Sequence, residues 1–205
     1  MLCLLPRKSV RFLFGSVALY ALCVAVAVVF ACREKQLPMD PGLTVSVYVG
    51  FYPWTSVLFA AAISAIAVFI CLHLPKIQMK PAQKLLYILI VLCVLGCGWL
   101  PCNSDRSRLI TDLHNRIAEV LIPALMLSFG FMAVFARNVC QRIFGLLSSA
   151  FSVFCLTGLI FRIEFFDNTL FIWENLLILL FLAAELSLET AVPRVPEKSL
   201  TQEGA

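Results

Sequence analysis

Five polar side chains stand close together at 112–119 in an otherwise apolar chain: Asp112, His114, Asn115, Arg116 and Glu119. Residues three or four apart are neighbours on a helix, which places Asn115 and Arg116 beside Glu119. A histidine near carboxylates can serve as a general base, a metal ligand or a hydrogen-bonding group. The stretch therefore predicts either a polar pocket or a helix start with local ion pairs, because acidic side chains near a helix N-terminus suit its dipole.

Other polar groups stand near the ends of apolar segments or between them. Glu174 opens the last apolar segment at about the predicted depth of Glu119, and Arg162 is an expected ion-pair partner for either carboxylate. A charge at the centre of a membrane helix costs about 2.5–3.5 kcal/mol on insertion scales, so such residues are the first candidates for function. The candidate ligand-binding residues are Ser46, Tyr48, Asp105, His114, Glu119 and Glu174.

The same inventory argues against several chemistries. A haem between helices needs two axial histidines at similar depth, but the two histidines, His73 and His114, are predicted on opposite membrane faces. Zinc hydrolysis normally uses three protein ligands, and His, Asp and Glu are scarce here. Neither a Gly-rich phosphate loop nor a G-x-S-x-G turn occurs. We therefore expect no cofactor and no metal, and assign no catalytic residue.

Six apolar segments must position these side chains. Each has about the 20 residues that a helix needs to cross a hydrocarbon core of about 30 Å. The chain is 61% hydrophobic and only 14% charged, whereas soluble domains are about 25% charged. This predicts an all-α, polytopic membrane protein with one domain, residues 1–188, and a disordered cytoplasmic tail, 189–205. The predicted helices are about 12–31, 54–74, 82–100, 114–136, 143–163 and 170–188.

The basic residues orient the bundle. Ten of the 16 Lys and Arg residues lie at the N-terminus, in the second and fourth loops and in the tail. Because basic residues favour the cytoplasmic side, both termini are predicted in the cytoplasm, with loops one, three and five outside. Arg7, Lys8 and Arg11 resemble the start of a signal sequence, but the following apolar run exceeds the usual 7–15 residues or so, so we expect a retained helix. An aromatic belt is predicted at the outer boundary: Tyr48, Tyr52, Trp54, Trp99 and Trp173.

Smaller features concern packing. Residues 60–65 (AAAISA), Gly96 and Gly98 indicate close helix approach, and 44–52 is predicted to lie in the interface or to extend the second helix. Most of the nine cysteines fall within apolar segments, where a thiol acts as a small hydrophobe. Cys32 and Cys102 fall in predicted loops on one side, and a disulfide between them is left open.

Two landmarks resemble a known family. Residues 98–103 (GWLPCN), followed by 112–115 (DLHN) at the opening of the next helix, resemble the join found in the bacterial and archaeal membrane proteins grouped as domain of unknown function 998. Residues 43–48 (LTVSVY), followed by Trp54, are similar to that family's stretch ahead of helix two. The family is similar in plan to the Frag1/DRAM/Sfk1 group. The resemblance implies six helices, a bacterial or archaeal cell membrane and no established catalytic mechanism. Its polar landmarks would lie outside: Ser46, Tyr48, Pro101 and His114.

The leading hypothesis is an outward-facing polar pocket that binds or senses a lipid or small amphiphile without turnover. One alternative is an intramembrane lipid hydrolase that uses His114 with Asp112, Glu119 or Glu174. Others are a small transporter, which the apolar helix centres disfavour, and a structural subunit of a membrane complex. Membrane lipids are the expected partners, with a second copy of the chain or another membrane protein as alternatives. Nucleic acid is not expected, because the net charge of +4 comes from basic residues at helix ends.

Overall fold

The computed structural model describes residues 7–34, 39–73, 80–100, 108–136 and 138–190. Within those ranges the chain forms eight helices and no strand. Two are short: α2 (Val45–Gly50) and α7 (Glu164–Asp167). The six long helices are α1 (Arg7–Glu34), α3 (Pro53–His73), α4 (Pro81–Trp99), α5 (Arg108–Phe135), α6 (Val139–Phe161) and α8 (Leu170–Thr190).

Five of the long helices have the length and composition of membrane helices. In the described part of the chain, α1, α3, α4, α5 and α6 each contain a stretch long and apolar enough to cross a bilayer. The described apolar part of α8, Leu170–Ala184, is shorter. The chain is thus all-α and carries several apolar helices of spanning length, which agrees with the predicted class. Each observed helix lies within about four residues of its predicted segment, except that α1 and α5 begin about five and six residues earlier than predicted.

The six long helices form a closed ring. Each packs against its neighbour in the order α1, α3, α4, α5, α6, α8, and α8 returns to α1. The short helix α2 contacts α1, α3 and α8, while α7 contacts α6 and α8. α2 lies between the end of α1 and the start of α3, and α7 lies between the end of α6 and the start of α8. Because successive long helices run in opposite directions, these ends are all on the same side of the ring. The two short helices therefore close one end of the ring, which is the end that carries most of the candidate polar residues.

Glycines allow the closest helix crossings. A Cβ built on Gly145 of α6 would lie 2.6 Å from the backbone nitrogen of Ala133 and 2.8 Å from the carbonyl oxygen of Phe129, both on α5. Because backbone atoms cannot move aside as a side chain can, only glycine fits there. The predicted close approach at Gly96 and Gly98 is confirmed, since their added Cβ atoms would lie 2.9 and 3.0 Å from Ile117 and Ile63, respectively.

The segment 44–52 differs from both predicted alternatives. It neither lies at an exposed interface nor continues α3, but folds as the separate helix α2, whose residues Val45, Ser46, Tyr48 and Val49 are buried. Pro53 starts α3 afresh because it lacks the N–H that an uninterrupted helix would need at that position. The reason for burial is apolar content: Val45 and Val49 pack into the main core.

The start of α5 is also corrected. The helix begins at Arg108 rather than at His114, so the polar stretch lies in its second and third turns and is not a helix cap. Apolar patterning missed these first turns because they are polar. Pro123 lies inside α5. Since proline has no N–H, the carbonyl of Glu119 lacks its usual intrahelical donor.

The predicted aromatic belt is only partly present. Trp54 and Trp99 are exposed, at 46% and 60%. Tyr48, by contrast, is 1% exposed, and Trp173 is half-buried with its ring stacked on Phe166 at 5.8 Å. These two side chains therefore contribute to the interior of the bundle. Hydropathy predicted their depth, but it could not predict which way they faced.

The small-residue stretch 60–65 does not form one outward face. Ala60 and Ala62 are buried, whereas Ala61 and Ala65 are exposed. The Ser64 hydroxyl donates to the Ala60 carbonyl at 2.7 Å and accepts from the Trp99 indole at 3.1 Å. The stretch therefore joins α3 to α4 through part of its surface.

Candidate functional site

The ring of helices encloses an elongated cavity of about 450 Å³, a volume within the range of small-molecule sites. Most of the lining is aliphatic or aromatic and comes from α3, α4, α5 and α8. The cavity runs along α8 from Leu170 to Leu182, which at 1.5 Å per residue is roughly 18 Å. That length exceeds half of a hydrocarbon core of about 30 Å. The shape suits a narrow apolar chain.

The cavity is closed at the end away from α2. Ile66 and Ile70 of α3, with Phe181 and Leu182 of α8, are buried there. The Phe181 ring packs on Tyr87 of α4 with centroids 5.9 Å apart. This end carries no charged lining residue, so it is suited to hydrocarbon alone.

The opposite end of the cavity is polar. It gathers side chains from the loop before α2, from α2, from α5 and from α8. These residues lie far apart in the sequence, and the fold brings them to one end of one cavity. We call them the polar end: Thr44, Ser46, His114, Asn115, Glu119 and Glu174.

Glu174 joins α8 to α2. Its Oε2 accepts a 2.8 Å hydrogen bond from the backbone N–H of Val45. The Glu174 side chain is packed inside the bundle, but part of its surface faces the cavity, so the residue is half-buried. The neighbouring Asn175 accepts a 3.1 Å hydrogen bond from the Tyr20 hydroxyl of α1. These contacts fix the first turns of α8 against the other helices.

His114 joins α5 to α4. It is 6% exposed, and its Nδ1 lies 2.7 Å from the carbonyl oxygen of Leu100. A carbonyl oxygen can only accept, so Nδ1 carries the proton of this bond. Within the described residues no hydrogen bond connects His114 to Glu119 or to Glu174. The His114 imidazole thus links α5 to the end of α4 by a hydrogen bond and also lines the cavity.

The loop before α2 is held by Tyr48. Its hydroxyl accepts from the backbone N–H of Asp40 at 2.9 Å and donates to the Asp40 carbonyl at 3.0 Å. Burial of the ring raises the pKa of the Tyr48 hydroxyl, as do the nearby Cys32 and Asp40, while the backbone hydrogen bond to Asp40 opposes this. The backbone N–H of Phe171 also donates to the Pro41 carbonyl at 3.0 Å. The loop that carries Thr44 is therefore fixed at both ends.

Two hydroxyls lie side by side at the polar end. Thr44 Oγ1 and Ser46 Oγ are 2.8 Å apart, and one donates to the other. Both residues line the cavity. Each oxygen retains acceptor capacity, because a hydroxyl has two lone pairs.

The exposed lining residues mark an opening. Of all the residues that line the cavity, Asn115, Glu119 and Leu159 are the exposed ones. They belong to α5 and α6, near the polar end. Glu119 also pairs with Arg116 at 3.0 Å, with side chains 62% and 77% exposed. The exposure of these side chains places the opening beside them, at the polar end.

The predicted binding residues have mixed placements. Ser46, His114, Glu119 and Glu174 line one cavity. Tyr48 does not line it and instead supports the loop behind Ser46. Asp105 lies outside the described residues, as does Cys102, so neither that site nor the Cys32–Cys102 disulfide has a structural account.

Sequence reasoning missed part of the site. Thr44 was not singled out, although its place two residues before Ser46 was a signal that could have found it. The apolar half of the cavity had no sequence signal, because its residues resemble ordinary core. The expected ion pair of Arg162 is also absent from the described residues: Arg162 is exposed and ends α6 with a left-handed backbone, φ 46°.

The arrangement suits binding of an amphiphile better than binding of a metal. In the described part of the chain, no group of three or more His, Cys, Asp or Glu side chains could hold a metal ion. No protein-family model, no curated protein and no solved structure matches the chain. The cavity itself is therefore the basis for assigning a function.

Proposed function

We propose that this protein binds a single-chain lipid or other amphiphile, with the tail in the apolar part of the cavity and the head at the polar end. The observation that carries the proposal is the cavity: about 450 Å³, apolar along most of its length and polar at one end only. A pocket of this kind provides hydrophobic contact for the tail and a few polar groups that orient the head. The role is binding or sensing without turnover.

The proposed topology has six spans, both termini in the cytoplasm and the polar end outside. The sixth span would be α8, whose 21 residues have a length of roughly 32 Å at 1.5 Å per residue. Ten of the 16 basic residues then face the cytoplasm, as the positive-inside rule favours. The opening beside Asn115, Glu119 and Leu159 would face the outer leaflet, so a lipid could move in sideways.

We also propose kinship with the family grouped as domain of unknown function 998. Support comes from the landmark residues, which are physically linked in the fold. His114 bonds the Leu100 carbonyl, and Gly98 packs closely on Ile63. A location in a bacterial or archaeal cell membrane follows from this proposal alone.

The hydrolase alternative has weaker support. The residues of such a site must lie within hydrogen-bond reach of one another, and within the described residues no hydrogen bond connects His114 to Glu119 or to Glu174, while its Nδ1 bonds a backbone carbonyl. Glu119 is exposed and paired with Arg116. These contacts favour a binding role over a catalytic one.

The test uses the purified full chain and three probes of one chain length: hexadecanol, hexadecylamine and palmitate. Binding is followed by native mass spectrometry as each probe is added. Ala67→Phe places a large side chain in the cavity, since Ala67 lines it and is 5% exposed. Ala65→Phe is the matched control, because Ala65 is on the same helix and faces outward.

We expect at least one probe to bind with a stoichiometry of one. Its affinity should fall about tenfold or more in Ala67→Phe, a loss of about 1.4 kcal/mol, and should be unchanged in Ala65→Phe. Thermal unfolding of both variants verifies that each is folded. If none of the three probes binds, or if binding is equal in both variants, the cavity is not a lipid site and the proposal is wrong.

A further inference from the structure

The polar end of the cavity is rich in hydrogen-bond acceptors, and none of its described lining residues is Lys or Arg. Its lining includes two carboxylates, Glu119 and Glu174, and the paired hydroxyls of Thr44 and Ser46. Arg116 pairs with Glu119 at 3.0 Å, is itself 77% exposed and does not line the cavity. The charge carried by the described lining residues at this end is therefore negative or neutral, depending on the protonation of the carboxylates.

One oxygen of Glu174 has no partner among the described residues. Oε2 accepts from the backbone of Val45, and no other hydrogen bond or ion pair of the described residues engages this carboxylate. The other oxygen is also not sealed in protein. In the described part of the chain, the one buried side-chain oxygen or nitrogen without a partner is Ser148 Oγ. The second oxygen of Glu174 is therefore accessible from the cavity.

The described lining of this end offers an anionic head no Lys or Arg donor, and the amide of the exposed Asn115 is an uncharged one. The Nδ1 proton of His114 is directed to the Leu100 carbonyl. One of the two hydroxyl protons of Thr44 and Ser46 is used in the bond between them. A phosphate or a carboxylate head would meet carboxylates of the same sign in a medium of low dielectric, where like charges repel strongly.

We propose that the amphiphile bound here carries a cationic primary amine, whose ammonium group pairs with the free oxygen of Glu174. This inference rests on the proposed function and names the class of its ligand. An ammonium group has three donors and no acceptor. It can bond Glu174 together with the hydroxyl oxygens of Thr44 and Ser46, which line the same end. A charge-assisted bond of this kind is about twice as strong as a neutral one.

The pairing would also compensate the negative charge of the Glu174 carboxylate. A carboxylate inside a membrane bundle is costly unless it has a partner or loses its charge. The backbone N–H of Val45 supplies one donor but no positive charge. A ligand ammonium supplies that charge, while its tail fills the apolar part of the cavity.

The experiment compares heads on one tail. The full chain is titrated at neutral pH with hexadecylamine, palmitate and hexadecyl phosphate, and each dissociation constant is measured by native mass spectrometry. We expect the amine to bind about tenfold or more tightly than either anion. Glu174→Gln should weaken amine binding about tenfold and leave palmitate binding unchanged or tighter, because glutamine keeps the shape and the Val45 acceptor without the charge.

Glu164→Gln is the matched control. Glu164 is an exposed carboxylate of α7 at the same end of the ring and does not line the cavity, so the amine affinity should change less than about threefold. If palmitate or hexadecyl phosphate binds as tightly as the amine, and this binding is lost in Ala67→Phe, the amine assignment is wrong. The proposal of a lipid site is then still supported. Equal amine affinity in wild type and Glu174→Gln would also overturn the amine assignment. Failure of every probe would instead reject the proposed function.

Discussion

The carboxylate of Glu174 accepts a 2.8 Å hydrogen bond from the backbone N–H of Val45, across 129 positions of the sequence. Together with the packing of Tyr48 on Phe171, this contact joins the last long helix to the short helix α2 at the polar end of the cavity. Glu174 therefore has two separable roles. One oxygen holds the structure together, and the other remains available to a ligand.

Replacement of Glu174 should separate those roles. Glu174→Ala leaves the Val45 N–H without an acceptor, and an unsatisfied buried donor costs about 1–3 kcal/mol. Glu174→Gln can still accept that bond, so its free energy of unfolding should be close to that of the wild type. Thermal unfolding in detergent measures both, and hydrogen exchange at Val45 reports the bond directly. Equal stability of the alanine and glutamine variants would show that the bond contributes nothing.

Removal of the Tyr48 hydroxyl should loosen the loop before α2. In Tyr48→Phe the backbone N–H of Asp40 loses its acceptor, and because Asp40 is exposed and water can replace that acceptor, the cost should be about 0.5–1.5 kcal/mol. Tyr52→Phe is the control, because the Tyr52 hydroxyl bonds Glu34 in an exposed contact and should matter little. Unfolding midpoints and proteolysis near residues 39–44 measure the effect. A larger loss in Tyr52→Phe than in Tyr48→Phe would contradict this account.

Alkaline pH should reduce the contribution of the Tyr48 hydroxyl to the free energy of unfolding. Burial raises the pKa of its hydroxyl, whereas an unfolded tyrosine titrates near pH 10 or so. Above that pH the folded state keeps a proton that the unfolded state has lost, so the free energy of unfolding falls as pH rises. At neutral pH the contribution is fully present. The stability difference between wild type and Tyr48→Phe should therefore narrow above about pH 10, measured as unfolding midpoints of both proteins across that range. A constant difference would argue against a buried, neutral Tyr48.

The crossing of α5 and α6 should depend on Gly145. An alanine there would place its Cβ 2.6 Å from the Ala133 nitrogen, and such overpacking costs about 1–3 kcal/mol. Gly130→Ala is the matched control, because its Cβ would meet nothing nearer than 3.8 Å. Alanine is also a better helix former than glycine by about 1 kcal/mol, so this control should be neutral or more stable. Thermal unfolding of both variants gives the comparison. Gly145→Ala at or above wild-type stability would exclude a tight crossing.

Local sequence patterns were enough to predict the long helices and the contacts between neighbours on one helix. Apolar runs of about 20 residues gave the long helices, and Pro53 marked where α3 begins. The pairing of Arg116 with Glu119 followed from helical spacing and is confirmed at 3.0 Å. The prediction of His114, Glu119, Glu174 and Ser46 as one group also followed from depth, since each lies near the same end of its segment.

The position of a residue along its helix did not determine whether its side chain faces the interior of the bundle. The tertiary structure decided that. A membrane helix that is apolar all round gives no sign of which face meets its neighbours, so the cavity between α3, α4, α5 and α8 had no sequence signature. Tyr48 has the side chain of an interfacial belt, yet it is 1% exposed because Asp40 supplies its hydrogen bonds. The sequence by itself determined a polytopic chain of apolar helices. The choice of which polar groups meet across the ring required the folded structure, because partners such as Val45 and Glu174 are separated by most of the chain.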